Sequence, residues 1–241
     1  MGRRVTEAEG DRPVLARPRV SFGPSRTAEE NARADASLVR SGGSGGCVTS
    51  LSDRSVSVGV GVRGAPPYLR RARRLGLAVV RRTSGGTAVV HGPGDLAWSL
   101  VVPRRDPRAG PDFVRAYGRL GAGVVRFLAR RGIVASWQPS PGLSAEYCLL
   151  GSRGYALAVG DRILGGAAQH ATATSLLHHG IVPLEVDRPL IARLFGWDSP
   201  GPADRLTGLR ELGIADPIET LGRDLAAALD VELAPPGPSA G

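Results

Sequence analysis

Between Pro111 and Arg131 the apolar residues Phe113, Tyr117, Leu120, Val124 and Leu128 recur every three or four positions. That period puts them on one face of a helix, with proline suited to its first turn, so the spacing predicts one long amphipathic helix near the middle of the chain. A helix with a single apolar stripe needs a surface to cover. The flanks supply strands: Ser55 to Val62, Leu77 to Arg81, and then Thr87 to Val90 and Leu96 to Val102, which read as a pair. Beyond the helix, strand-like runs resume at Ile133 to Ser136, Tyr155 to Val159 and Ile181 to Val186. Further helices are predicted from Thr27 to Val39, where a cap is followed by acids and the run stops at Ser41-Gly42-Gly43, and from Pro67 to Leu75. The end turns helical at Pro189 to Phe195, Ala203 to Leu212 and Pro217 to Leu233. These elements interleave without a strict βαβ rhythm, which predicts an α+β fold, a single domain with a mixed β-sheet packed by helices. That domain is expected over 13–234, with its C-terminal helices from about 188, between disordered tails at 1–12 and 235–241.

Composition limits the chemistry. Of 241 residues 42% are hydrophobic, enough for a sizeable core. The net charge is +9 and all 31 basic residues are arginine, so Schiff-base catalysis and the phosphate loop ending in Gly-Lys-Ser/Thr are excluded. Two cysteines, Cys47 and Cys148, make neither a disulfide framework nor a four-cysteine metal site. No apolar run approaches the roughly 20 residues of a membrane span, and none follows the polar start Met1-Gly2-Arg3-Arg4-Val5-Thr6. A cytoplasmic protein without membrane partners is expected. The basic residues are scattered with little aromatic interleaving, so a nucleic-acid partner is not expected.

Five segments bear on chemistry. Gly59-Val60-Gly61-Val62-Arg63-Gly64 has dinucleotide-fingerprint spacing, but the acid wanted about 20 residues on is absent and only arginines stand there, so the segment reads as a turn. In Arg81-Arg82-Thr83-Ser84-Gly85-Gly86-Thr87 two arginines enter a Ser-Gly-Gly turn. Its main-chain N–H groups suit a carboxylate or acyl phosphate, and a glycine hairpin flanked by solvated charge fits the spacing equally. Arg162 precedes a small-residue turn at Gly165-Gly166-Ala167, where a ligand could approach the backbone closely. His178 and His179 enter a strand and point to opposite faces, a poor metal pair, so no metal is expected. Cys148, in the apolar run Tyr147-Cys148-Leu149-Leu150, reads as a buried strand residue or as a nucleophile.

Taken together these segments resemble the catalytic domain of the lipoate-protein ligase and octanoyltransferase family, which shares its fold with biotin-protein ligase. Arg81 to Ser99 is similar to the signature Arg-Arg-x-Ser-Gly-Gly-x-Ala-Val-x-His, Arg162 to Ala167 to Lys-Ile-x-Gly-Ser-Ala, and His178-His179-Gly180 to the His-Gly segment after it. The resemblance implies acylation of a lysine on a lipoyl carrier domain with lipoate or octanoate, using ATP and magnesium in a ligase, or no cofactor and an acyl carrier protein donor in a transferase. It implies that Arg82, Ser84, Gly85, Gly86, His91, Gly165, Gly166, Ala167 and His179 bind the acyl substrate. It makes Cys148, seven residues before Tyr155, the thioester nucleophile and Arg162 its catalytic partner. Arg162 stands where the family has lysine; arginine can hold an anion but cannot take up a proton near neutral pH. Other roles compatible with these residues are a non-catalytic member that binds the carrier domain or acyl group, and biotin-protein ligase-like activity.

Overall fold

The computed structural model describes residues 19–110, 112–199 and 201–234. The tails predicted at 1–12 and 235–241, and Pro111 at the head of the predicted helix, lie outside the described residues.

The chain opens with β1 (Val20–Phe22) and α1 (Ala28–Ser41). Thr27 and Glu30 form the capping box that starts α1, and Gly42 in the left-handed region ends it. Next come β2 (Gly45–Ser50), β3 (Ser55–Val58), α2 (Pro67–Arg74), β4 (Ala78–Arg81), β5 (Ala88–His91) and β6 (Leu96–Pro103). The second half has α3 (Phe113–Leu120), α4 (Ala122–Ala129), β7 (Ser136–Pro139), β8 (Tyr155–Val159), β9 (Arg162–Ala171), β10 (Ser175–Val182), α5 (Arg188–Phe195) and α6 (Ile218–Asp230).

Seven strands form one sheet in the order β1-β2-β6-β10-β9-β8-β7, and β4-β3-β5 form a second. Both are mixed: β1 runs parallel to β2 and β3 parallel to β4, while the other pairs are antiparallel. One core packs the large sheet against α3, α4 and α6 through Trp98, Leu100, Leu120, Phe127, Leu164 and Leu225. A second lies where the small sheet, α2 and α5 meet the rest, around Val56, Tyr68, Leu149, Ile181, Leu194 and Phe195. Alternating apolar positions along each strand sort residues between these two faces.

Six expectations change, the first being that the strand expected over Ile133 to Ser136 is β7, which runs from Ser136 to Pro139. The single long helix is two, parted at Gly121, whose carbonyl accepts from Trp137 Nε1 at 3.0 Å. The runs Thr87 to Val90 and Leu96 to Val102 do not pair: β5 joins β3, and β6 sits between β2 and β10. The connection carries Pro93, and the buried Asp95 carboxylate accepts from Gly92 N at 2.8 Å and Leu184 N at 2.9 Å, tying it to the large sheet. The small-residue turn at Gly165-Gly166 is the middle of strand β9. A Cβ on Gly165 would stand 2.3 Å from Ile181 O, so glycine lets β10 pack closely rather than making a turn. β10 starts at Ser175 and stops before Pro183, earlier than expected on both sides. The helix predicted over Ala203 to Leu212 is two 3-10 turns, because its backbone is used elsewhere: Thr207 N donates to Ile163 O at 2.9 Å and Leu209 N to Pro183 O at 3.0 Å.

Asp95 gives the fold a testable pH dependence. Burial pushes its carboxyl up to about 7 from the ordinary 3.8, against the pull of the two N–H groups it caps. The folded chain thus keeps a proton that the unfolded chain releases, and the stability contributed by Asp95 is full below about pH 4 and lost as pH rises through 7. Thermal melts between pH 4 and 8 should show a decline with pH that Asp95→Asn flattens. An equal decline in both proteins would place its origin in another group.

Candidate active site

Cross-strand register builds the site's base. His179 on β10 lies directly opposite Ser99 on β6 and Ala168 on β9. Residues so paired share one face, and α1 covers that face with Asp35, which is 4% exposed. The Asp35 carboxylate meets Ser99 Oγ on one oxygen and His179 Nδ1 at 2.6 Å on the other. His179 Nε2 is 2.6 Å from Ser84 Oγ, so a buried chain runs from α1 through β10 into the Ser-Gly-Gly loop. His178, one residue away, faces the opposite core, edge-on to Trp98 and Tyr117, and accepts from Gln169 Nε2 at 3.2 Å. Burial holds His178 down to about 3, neutral throughout the physiological range.

The two arginines at the end of β4 separate. Arg81 donates to the carbonyls of Gly59, Val60 and Val62 and staples the turn beyond β3. Arg82 turns inward and is 8% exposed. Its Nε donates to Ser84 Oγ at 3.2 Å, its first terminal nitrogen to Ser57 Oγ at 3.3 Å, and its second to Gly85 O at 2.8 Å. That second nitrogen also lies 4.0 Å from Cys148 Sγ. Burial lowers the guanidinium's pKa, and the Cys148 thiol is the foremost group opposing that. None of the ion pairs among the described residues involves Arg82.

Cys148 opens a 3-10 turn rather than lying in a strand. Ala88 N donates to Glu146 O at 3.0 Å and Tyr147 bridges Ala88, which draws this turn against the start of β5. Gly86 makes the approach possible: its φ is +92°, and a Cβ there would stand 2.7 Å from the Arg82 guanidinium and 2.8 Å from Cys148 Sγ. On the other side of Arg82, His91 Nε2 lies 2.7 Å from Ser57 Oγ.

These groups border a cavity of about 100 Å³. Leu51, Val80, Val89, Leu149 and Ile181 give it apolar walls, and its polar side has Arg82, His91, Cys148 and His179. Gly166 and Ala167 also line it, while Ser84, Gly85 and Gly86 form the loop that carries Arg82. Among the described residues in its wall, Asp35 is the one with a carboxylate. No three His, Cys, Asp or Glu among the described residues are grouped as a metal ion would need.

Arg162, expected as the catalytic partner, has other company. Its guanidinium donates to Glu211 Oε2 at 2.5 Å and Leu206 O at 3.2 Å, sharing both with Arg188, and it is not among the cavity-lining residues. The cation at the thiol is Arg82. Asp35, Ser57 and Ser99 lie in segments that carry the family resemblance, yet the sequence assigns them no role in the site; the structure brings them into it from α1, β3 and β6. Tyr117 was read for its helical period, and its hydroxyl donates to Ala167 O at 2.6 Å in the cavity wall.

The profile of the lipoyl protein ligase A/B catalytic domain matches residues 34–215. The chain belongs to that family. Among curated relatives, octanoyltransferase LipM of Brevibacillus brevis is 26% identical over 191 residues, covering 69% of this chain and 68% of that protein. LipM of an Exiguobacterium species is 29% identical over 150 residues, covering 58% of this chain and 53% of its own length. The chain thus spans between about half and two thirds of these relatives. A solved lipoate-protein ligase A bound with ATP superposes with a TM-score of 0.73 at 19% identity, covering 90% of this chain and 85% of that one. The bipartite lipoate protein ligase of Thermoplasma acidophilum, studied with its E2 lipoyl domain, gives 0.69 at 19% identity, with 90% and 83% covered. These likenesses establish the lipoate-ligase fold. No helix among the described residues is long and apolar enough to cross a membrane.

Arg162→Ala should separate structure from chemistry in this family member. Losing a partly buried ion pair and one carbonyl contact should lower stability by about 1 kcal/mol. The rate at which iodoacetamide alkylates Cys148 should stay within twofold of the parent; a large fall would return Arg162 to the thiol.

Proposed function

We propose that this chain transfers an octanoyl or lipoyl group to a lysine of a lipoyl carrier domain through a thioester on Cys148. The observation that carries this reading is the buried Arg82 guanidinium, with no carboxylate partner among the described residues, turned toward the Cys148 sulfur. A buried cation favours an anion beside it, and the group that Arg82 faces at 4.0 Å is the Cys148 sulfur, whose thiolate would do the chemistry. Relatives named octanoyltransferase support the same reaction.

In the first half-reaction the thiolate attacks the carbonyl of an acyl thioester donor, a sulfur–carbon bond forms, and the donor's thiolate leaves. In the second, the acceptor's free amine attacks the Cys148 thioester, an amide forms, the amine's proton passes to solvent, and the Cys148 thiolate returns to Arg82. The apolar wall takes the acyl chain. An acyl carrier protein suits the donor role, a lipoyl domain the acceptor role, and the cytoplasm is where both substrates would be met. A net charge of +9 suits acidic protein partners.

In a ligase, ATP with magnesium would activate the acid before transfer. The cavity's carboxylate, Asp35, is already taken by Ser99 and His179, so this wall favours the thioester route over a magnesium-bound nucleotide.

Intact-mass spectrometry of a lipoyl domain, given octanoyl carrier protein in one tube and lipoate with ATP and magnesium in another, tests the proposal. A gain in the first tube, lost in Cys148→Ser, is expected. Gain in the second tube alone, with Cys148→Ser active, would mean a ligase; no gain in either would favour a binding protein, and gain only in a third tube holding biotin with ATP and magnesium a biotin ligase. Arg82→Met removes the hydrogen bonds to Ser57 Oγ, Ser84 Oγ and Gly85 O along with the cation, so it should lower the melting temperature and slow the alkylation of Cys148 by iodoacetamide.

A further inference from the structure

Asp35, His179 and Ser84 stand in the order of a nucleophilic relay, a carboxylate on one imidazole nitrogen and a hydroxyl on the other, each at 2.6 Å. Ser84, however, has no exposed surface and does not border the cavity, so its oxygen meets no substrate. Its surroundings give the relay a different task. Ser84 Oγ also accepts from Arg82 Nε at 3.2 Å, and the same guanidinium lies 4.0 Å from Cys148 Sγ.

Donors and acceptors fix where the protons of this chain lie. A carboxylate only accepts, so while Ser99 Oγ donates to one Asp35 oxygen, the other receives His179 Nδ1–H. An imidazole with its proton on Nδ1 presents Nε2 as an acceptor. Ser84 gives its one hydrogen there, which leaves the lone pairs of Oγ for Arg82 Nε–H, and every group in the chain is matched. With the proton on Nε2 instead, His179 and Arg82 would both donate to Ser84 Oγ, whose own hydrogen would have no acceptor among the described contacts. Nδ1 would then set a lone pair against the carboxylate. Only the first arrangement leaves nothing unmatched. All three residues are buried, so solvent does not repair a reversed bond.

We propose that Asp35 is a positioning residue for Cys148: by fixing the His179 proton on Nδ1 it makes Ser84 a donor to the imidazole and an acceptor for Arg82, and so holds the guanidinium on the sulfur. Asp35 acts through three other side chains and touches neither the thiol nor the acyl group. Its bearing on turnover rests on the acyl-transfer reading, since a cation held against the sulfur matters where the sulfur reacts as a thiolate.

The test uses the full chain and three readings. Nitrogen NMR gives the His179 tautomer, and peptide mass gives the rate of Cys148 alkylation by iodoacetamide with the free Cys47 counted apart. Intact mass gives octanoyl transfer from an acyl carrier protein to a lipoyl domain. The parent should carry the His179 proton on Nδ1. In Asp35→Asn, where Ser99 keeps the amide oxygen and the amide N–H faces Nδ1, the proton should move to Nε2. Alkylation of Cys148 should then slow about tenfold, the size of one lost hydrogen bond, and acyl transfer should slow with it. Thr27→Ala removes the cap that starts α1 and weakens the same helix without touching the chain of bonds, so it should keep the parent's tautomer and alkylate within about twofold of it.

A parent His179 protonated on Nε2, or on both nitrogens, would overturn the proposal, and this reading decides even if Asp35→Asn does not fold. So would a proton that stays on Nδ1 in Asp35→Asn, or alkylation at the parent's rate after the proton has moved. Equal slowing in Thr27→Ala would overturn it too, reducing Asp35 to a packing contact of α1. If Cys148→Ser still transfers the acyl group, the acyl-transfer reading fails by itself, and the tautomer and alkylation readings still decide what Asp35 does.

Discussion

A guanidinium buried with no carboxylate partner among the described residues is the constraint around which this site is arranged. Removing a cation from water is costly unless hydrogen bonds and an anion replace the hydration it loses. Arg82 spends its donors on Ser84, Ser57 and Gly85 O, one from each direction of its planar fork, and the remaining direction meets Cys148. Each acceptor is itself held from behind. Ser84 leans on His179 and Asp35, and Ser57 on His91. The loop can make these bonds only because Gly86 adopts a left-handed conformation with no side chain between Arg82 and the sulfur. Loop, strands and α1 therefore converge on one charge, whose rigidity follows from how many elements fix it.

The same physics explains why two arginines of one chain fare differently. Arg162 and Arg82 carry equal charge, and the resemblance to a lysine-bearing motif favoured Arg162. In the folded chain Arg162 lies within reach of a carboxylate, Glu211, that also attracts Arg188, and the three close the segment after α5 onto the start of β9. A cation satisfied by a carboxylate has little field left for a thiol. Arg82 has no such partner among the described ion pairs, and it is the one that meets the sulfur.

Much of the frame was legible in the sequence. Caps and glycine stops placed α1, and the apolar period placed α3 and α4 apart from their break at Gly121. That break depends on Trp137, which comes 16 residues later and reaches back to a carbonyl that no local pattern marks as special. The split of β5 from β6 was likewise hidden, since a Gly-Pro-Gly link reads as a hairpin until Asp95 is seen tying it to Leu184. Within the site, the Arg81 to Gly86 loop was visible as a motif. The members missed were Asp35, Ser57 and Ser99, small polar residues that acquire meaning only through cross-strand register and the packing of α1.

That register supplies the last step. Because His179 lies opposite Ser99, one carboxylate from α1 can hold both, and because His178 and His179 alternate, only one of two adjacent imidazoles reaches the cavity. A slip of one residue between β6 and β10 would exchange them, burying His179 against Trp98 and presenting His178 to Asp35. Trp98 and Tyr117 pack edge-on to His178 and so hold the register from the opposite face. The aromatic core and the polar cavity are two sides of one pairing, and the position of the buried guanidinium is fixed as much by rings that never touch the cavity as by the serines that do.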